Sequence, residues 1–262
     1  MKRDKIVLII LFCLIVIQAV VIFWLAILLQ PKKPVVVKPP PITLKGKIAI
    51  VIDDWGYHDD TLAIVSQIKY PITAAVLPNL TYSTAVAAKL HEMNIEVIMH
   101  LPMEPREKIR LEKNTILVNM TARQIGRIIN NGLDNLVYCK GVSNHMGSQL
   151  TTDRRAMEII LRELKQRGLY FLDSVVAPTI VSSKLARELG VKFAKRDVFL
   201  DNKGDPAYIR EQINILKHKA RFYGQAIGIG HDRKTTLKVL SEVIPELAKE
   251  GYKFVFVSNL VK

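Results

Sequence analysis

Several acidic and histidine side chains in this 262-residue sequence stand directly after short apolar runs. Imidazole and carboxylate groups together suit Zn²⁺ or a neighbouring transition metal, and such a ligand set leaves a position for water. The same groups act as general acids and bases in hydrolysis. The residues concerned are Asp53, Asp54, His100, His145, Asp173, Asp201 and His231.

Each of these residues has a structural explanation when it is considered alone. A single histidine at the end of a strand is more often a hydrogen-bonded structural residue than a metal ligand. The adjacent pair Asp53 and Asp54 can equally cap a following helix. Their shared position favours one common site instead, because the carboxyl ends of strands in a parallel barrel open onto a single face.

The elements that must position these residues alternate along the chain from Thr43 onward. Apolar β-branched runs without polar alternation suit parallel strands that are covered on both faces. Such runs occupy 47–52, 72–77, 95–99, 140–143, 169–172, 191–199, 225–229 and 253–257. Segments with helical period lie between them, at 59–68, 83–93, 122–133, 153–167, 182–189, 206–220 and 233–249.

Local capping signals agree with these boundaries. Thr121 followed by Gln124 predicts a capping box, and Asp205 precedes a proline at a first helical position. Glycines that can act as C-terminal caps follow three predicted helices, at Gly168, Gly190 and Gly251. Repeated βα units imply a parallel sheet, either closed as a barrel or open and doubly wound. The predicted fold class is therefore α/β, and residues 43–262 have the length of a distorted (β/α)7–8 barrel.

The N-terminal segment predicts a membrane anchor. Residues 6–29 are apolar except for Gln18, which is long enough to cross a bilayer, and no small-residue cleavage site follows. Residues 1–30 are therefore predicted to form a single transmembrane helix, an uncleaved signal anchor. Lys2, Arg3 and Lys5 favour a cytoplasmic N-terminus, so we expect an extracytoplasmic domain at the cell membrane, periplasmic or extracellular. Residues 31–42 predict a Pro/Lys-rich linker.

The net charge of +14 favours anionic surroundings, such as lipid headgroups or acidic cell-wall polymers. A solvated lysine-rich surface is the simpler interpretation. The sequence does not interleave aromatic and basic residues as single-strand-binding proteins do, so no nucleic-acid partner is expected. Cys13 and Cys139 are the two cysteines, and the folded domain contains one of them, which excludes an intrachain disulfide there.

Five motifs in this order resemble the divergent polysaccharide deacetylases, a branch of the NodB-like carbohydrate esterases. They are IDDWG at 52–56, HLPMEP at 100–105, GVSNHMGS at 141–148, FLDS at 171–174 and GIGH at 228–231. The resemblance covers about residues 46–260. It implies a distorted barrel of the NodB-like type with a divalent metal, most simply Zn²⁺, at its mouth.

The resemblance also implies residue roles. Asp53 matches the base, Asp54 and His100 match metal ligands, and His231 matches the histidine that assists the leaving group. The family places a second metal-binding histidine four residues after the first, where this chain has Glu104. We expect His145 to replace it, because the fourth strand lies beside the third, while Glu104 stays an alternative.

The predicted reaction is removal of N- or O-acetyl groups from a cell-envelope polysaccharide, with metal-bound water as the nucleophile. Asp173 or Asp201 is expected to orient His231, with Asp173 counted among the catalytic residues. Substrate contacts are predicted for Trp55, Asn144 and Asp201. Two alternatives stay open. One is amide hydrolysis in a peptide stem, and the other is a catalytically inactive glycan-binding or envelope-assembly protein that retains the pocket.

Overall fold

The computed structural model describes residues 2–29, 43–178 and 181–262. The chain forms two compact units, Met1–Pro41 and Ile42–Lys262. In the first unit, helix α1 (Lys2–Leu28) contains a 24-residue stretch, Lys5–Leu28, that is long and apolar enough to cross a membrane by length and composition alone. The linker predicted over 31–42 lies outside the described residues.

The second unit is built on one curled parallel sheet. Its strands are β1 (Gly46–Trp55), β2 (Thr73–Val76), β3 (Glu96–Met103), β4 (Gly141–Met146), β5 (Tyr170–Asp173), β6 (Phe193–Lys195), β7 (Val198–Phe199), β8 (Gln225–His231) and β9 (Tyr252–Phe254). Their order is β6-β5-β4-β3-β2-β1-β8-β7, and β9 pairs with the start of β1. The predicted distorted (β/α) barrel is confirmed.

Helices cover the outside of the sheet. They are α2 (Leu62–Val65), α3 (Ser83–Glu92), α4 (Ala122–Asn135), α5 (Arg154–Gln166), α6 (Ser182–Leu189), α7 (Pro206–Tyr223) and α8 (Lys234–Glu250). The capping box of Thr121 and Gln124 is present, and the Asp205 side chain accepts a hydrogen bond from the amide of Tyr208. Gly190 and Gly251 end α6 and α8 in left-handed conformations, as predicted.

Two elements differ from the sequence predictions. The run 191–199 forms two short strands, because the amide of Arg196 bonds the carbonyl of Asp173 while the next amide, of Asp197, bonds the carbonyl of Ile227. Consecutive residues therefore join opposite edges of the sheet, and the barrel is bridged there by the chain itself. The helix predicted over 59–68 is reduced to the single turn of α2.

Side chains alternate between two cores along each strand. In β1, Ile48, Ile50 and Ile52 belong to the large core that the strands share with the helices, which we call the outer core. Ala49 and Val51 belong to a smaller core inside the barrel, formed by strands and the C-terminal segment, which we call the inner core. This alternation determines which residues at the strand ends reach the mouth of the barrel.

Candidate metal centre and active site

The inward positions of the strands lead directly to the predicted histidines. His100 lies two residues after Ile98, and His231 lies two residues after Ile229, and both of those isoleucines belong to the inner core. Asp53 follows Val51 in the same way. Because side chains repeat their direction every second residue, these groups point into the same mouth at the carboxyl ends of the strands.

Asp54 reaches the same mouth through an irregularity in β1. Regular alternation would aim it outward, but the pairing of β1 with β2 shifts register between Ile52 and Trp55. Asp54 itself has φ +66°, a left-handed backbone that non-glycine residues adopt rarely. Such bulges redirect side chains. As a result the Nε2 of His100 lies 3.6 Å from an oxygen of Asp53 and 3.3 Å from an oxygen of Asp54.

Asp54, His100 and His145 form a candidate metal centre, with one ligand atom from each lying within 4.8 Å of the other two. The Nδ1 of His145 lies 3.1 Å from the same Asp54 oxygen. The Nδ1 of His100 lies 2.8 Å from the hydroxyl of Ser143, so its Nε2 is left to face Asp54. The Nε2 of His145 is buried and has no hydrogen-bond partner among the described residues. Two imidazoles and a carboxylate fit Zn²⁺ or a similar ion.

Charges at this centre suit metal binding. Burial lowers the pKa of His100 to about 4, so the ring is neutral near pH 7, the form that binds metals. Burial acts to raise the pKa of Asp54, but contacts with His100 and His145 outweigh it and hold that pKa below its usual range. Burial, followed by the carboxylates of Asp54 and Asp201, raises the pKa of Asp53 well above its usual range, and Arg196 opposes this shift.

His231 stands across Asp54 from the other two histidines. Its Nε2 lies 3.8 Å from an Asp54 oxygen, and its Nδ1 lies 2.9 Å from Asp201. The second oxygen of Asp201 accepts hydrogen bonds from the His231 amide and the Thr236 hydroxyl. Phe199 packs against the His231 ring at 5.1 Å between centroids. Asp201 is fully buried, so it orients His231 and is not exposed for the substrate contact that the sequence suggested.

Three other predicted site residues are buried and point away from the mouth of the barrel. The side chain of Asp173 points out of the barrel, away from His231. Its carboxylate accepts hydrogen bonds from the Ser182 hydroxyl and the Val175 amide. Asn144 is also outward; its amide group donates to the Met146 carbonyl and its oxygen accepts from the Ser174 amide. The ring of Trp55 is fully buried in the outer core, so it does not face a substrate.

Glu104, the alternative ligand, is held elsewhere. Its Oε2 accepts a hydrogen bond of 2.6 Å from the Val118 amide, and His145 occupies the metal cluster in its place. Tyr57, beside the carboxylate pair, donates to Glu112.

Sequence reasoning missed Ser143 and Arg196. Arg196 donates to the carbonyls of Ser174 and Val175 and lies 4.7 Å over the ring of Phe199. Ser143 is opposite His100 in the pairing of β3 with β4. No signal in the sequence reveals this register.

Comparison with known proteins assigns the family. The pattern of the family described as "Divergent polysaccharide deacetylase" matches residues 50–261, nearly the whole second unit. The chain belongs to this family. The matched region contains the candidate metal centre, His231 and Asp201, so the polar mouth of the barrel is part of a divergent polysaccharide deacetylase domain.

Two curated relatives of this divergent polysaccharide deacetylase are similar along much of their length. The uncharacterised protein YibQ of Escherichia coli K12 is 40% identical over 204 residues, which are 78% of this chain and 64% of the relative, so the chain spans less than two thirds of YibQ. An uncharacterised protein of Haemophilus influenzae is 32% identical over 216 residues, covering 82% and 77% respectively.

The solved structures that are similar in fold include the following one. An uncharacterised protein from Agrobacterium tumefaciens C58 superposes with a TM-score of 0.78 over 85% of this chain and 92% of that protein. The two share 23% sequence identity, so this similarity supports the fold of the barrel.

Proposed function

We propose that this divergent polysaccharide deacetylase is a metal-dependent hydrolase that removes acetyl groups from a cell-envelope polysaccharide. One observation carries the proposal: Asp54, His100 and His145 converge within 4.8 Å, with Asp53 and His231 beside them. Ligands, a base and an acid are the groups that hydrolysis of an acetyl amide or ester requires.

Asp54, His100 and His145 would hold the ion, most simply Zn²⁺. When bound, such an ion supplies a Lewis acid and makes water nucleophilic near neutral pH. Asp53 is the base that takes a proton from the attacking water. One of its oxygens is buried without a hydrogen-bond partner among the described residues, and the other lies 3.6 Å from His100.

His231 is the general acid that gives a proton to the departing amine or alcohol. Its Nδ1 faces Asp201 at 2.9 Å, which fixes the proton on that nitrogen and directs Nε2 toward Asp54. The Asp201 carboxylate faces this ring, and its pKa is held below its usual range because the contacts with His231 outweigh burial. General acid catalysis of this kind is worth about 10²–10⁴ in rate.

We place the activity outside the cytoplasm at the cell membrane. In this arrangement residues 1–30 form a single-pass signal anchor, 31–42 form a linker and 43–262 form the catalytic domain. The support is the apolar stretch Lys5–Leu28 with its basic N-terminal flank. The partners are then an envelope glycan and the membrane, without nucleic acid.

Metal analysis followed by acetate release tests the proposal. The full-length protein, purified in detergent, is expected to bind a divalent ion and to release acetate from N-acetylated glycans. Asp54→Asn should lose the ion, whereas Asp53→Asn should keep it and lose at least about 10² of the rate. Ion binding without acetate release would favour an inactive glycan-binding protein or another bond, such as a stem-peptide amide. Absence of ion binding would refute the hydrolase.

A further inference from the structure

A basic groove opens at the gap between β6 and β7, the two edge strands of the sheet, which do not pair with each other. The groove encloses about 890 Å³, and its cationic lining residues are Arg187, Lys192, Lys195 and Lys262. All four are exposed, and none of them forms an ion pair with a carboxylate of the described residues. The one acidic side chain in the lining is that of Asp197, whose carboxylate accepts a hydrogen bond from the Ile227 amide. Four cationic side chains against this one carboxylate leave the lining with a net positive charge.

An exposed aromatic pair adjoins this basic groove. Phe222 and Tyr223 end α7, with 81% and 70% of their surfaces exposed and ring centroids 4.8 Å apart. Tyr223 also lines the groove. The chain enters the barrel next to this pair, since the amide of Lys47 donates to the carbonyl of Gly224. Aromatic rings beside lysines and arginines are typical of surfaces that contact lipid headgroups.

We propose that this surface docks on anionic phospholipid, with headgroup phosphates in the basic groove and Phe222 and Tyr223 in the interfacial layer. Acidic soluble polymers carry similar charge but offer no apolar layer for two exposed rings. The same chain also contains the apolar helix α1, which favours a lipid partner over a polymer. The inference rests on the membrane location proposed above and is independent of hydrolysis, since none of these residues belongs to the metal centre.

Hydrogen–deuterium exchange on the full-length protein in nanodiscs tests this docking. Discs of phosphatidylcholine alone are compared with discs that also contain phosphatidylglycerol. We expect peptides spanning 187–195 and 219–226 to exchange at least about tenfold more slowly in the anionic discs, with the protection lost at high salt. Inorganic phosphate and a soluble poly(glycerol phosphate) should not reproduce it. Protection by the soluble polymer but not by anionic discs would assign the groove to a polymer and overturn the proposal.

Paired variants separate docking from general charge effects. Lys192→Glu with Lys195→Glu should abolish the protection, and so should Phe222→Ser with Tyr223→Ser. The matched control, Lys108→Glu with Lys113→Glu, makes the same charge change on an exposed loop after β3 and should retain it. Slow exchange of β3 peptides verifies that each variant is folded.

Equal protection in neutral and anionic discs, no protection in either, or equal loss in the control would overturn the proposal. Ion content and acetate release, measured on the same samples, show separately whether the hydrolase proposal holds.

Discussion

At the scale of single residues, the left-handed backbone of Asp54 brings two consecutive carboxylates to one place. An extended strand would send the side chains of Asp53 and Asp54 to opposite faces. The bulge in β1 and the φ of +66° turn Asp54 back toward His100 and His145. Strained backbone of this kind is concentrated at functional sites, because the surrounding structure must hold it in place. The observed conformation therefore places both carboxylates at the candidate metal site.

Ser143 is expected to set the orientation of a metal ligand. Its hydroxyl lies 2.8 Å from the Nδ1 of His100, the nitrogen that faces away from Asp54. Loss of such an outer contact typically weakens metal affinity 10–100-fold. We predict this loss for Ser143→Ala, measured by titration with Zn²⁺, with little change in thermal unfolding. Unchanged affinity would show that packing alone orients the ring.

Asp201 gives a pH-dependent prediction. Its pKa is lower in the folded chain than in the unfolded chain, because hydrogen bonds from His231 and Thr236 outweigh burial. The ionised carboxylate therefore stabilises the fold fully above the unfolded pKa of about 3.9, and this contribution is lost as pH falls through the folded pKa.

Asp201→Asn should accordingly cost about 1–3 kcal/mol in free energy of unfolding at pH 7. The difference from wild type should narrow as the pH is lowered through 4. Urea unfolding over this pH range measures it. A cost that stays constant across the range would mean that the charge of Asp201 is not involved.

Residue types and strand ends were sufficient to predict Asp53, Asp54, His100, His145 and His231 near one another. The same reasoning failed for Asp173 and Asn144 because it ignored alternation: in β5, Leu172 faces the inner core, so the next residue must face out. Trp55 follows a bulge that period-2 patterns do not reveal. Counting the alternation of side chains along each strand would have corrected the predictions for Asp173 and Asn144. The prediction for Trp55 depends on the register of β1 and β2, which requires the structure.

At the scale of elements, the approach of α7 to β1 depends on a residue without a side chain. A Cβ placed on Gly46 would lie 2.4 Å from the carbonyl oxygen of Ala220 in α7. Because this oxygen belongs to the helix backbone, the whole helix would have to move. Helix α7 also directly precedes β8, the strand that carries His231. Movement of the helix would therefore disturb the strand that positions the proposed general acid.

We predict that Gly46→Ala destabilises the domain by about 1–3 kcal/mol or more, measured by chemical unfolding. Gly204→Ala is the matched control, since a Cβ there meets nothing within 4 Å. The control should change stability by less than about 0.5 kcal/mol. Similar losses in both variants would mean that glycine flexibility matters more than the helix contact.

The run 191–199 shows where element prediction from sequence stops. No glycine or proline marks the turn at Arg196 and Asp197, although the charged residues 195–197 interrupt the apolar pattern. The break exists because the curled sheet brings its two edges together there, and the chain bonds one edge and then the other. The charged residues mark a break, but the bonding of one segment to both edges is a consequence of the closure of the whole sheet.

At the scale of the whole molecule, the second unit contains its own core. In the described parts of the chain, every core residue lies at Ile48 or later. We therefore predict that residues 43–262 alone are soluble without detergent and unfold at the same temperature as the full chain. Removing residues 1–52, which deletes most of β1, should instead abolish cooperative unfolding. Aggregation of the 43–262 fragment would show that the N-terminal segment contributes to folding.

The position of β1 between two groups of histidines divides the mouth into two half-sites. His100 and His145 come from strands on one side of β1, and His231 comes from the strand on the other side, with both aspartates on β1 between them. All three candidate metal ligands lie on β1 or on strands to one side of it, so loss of His231 or Asp201 removes none of them. Under the proposed mechanism, a descendant of this protein that loses His231 or Asp201 would still bind the ion while turnover disappears, so metal content alone would be a poor marker of activity.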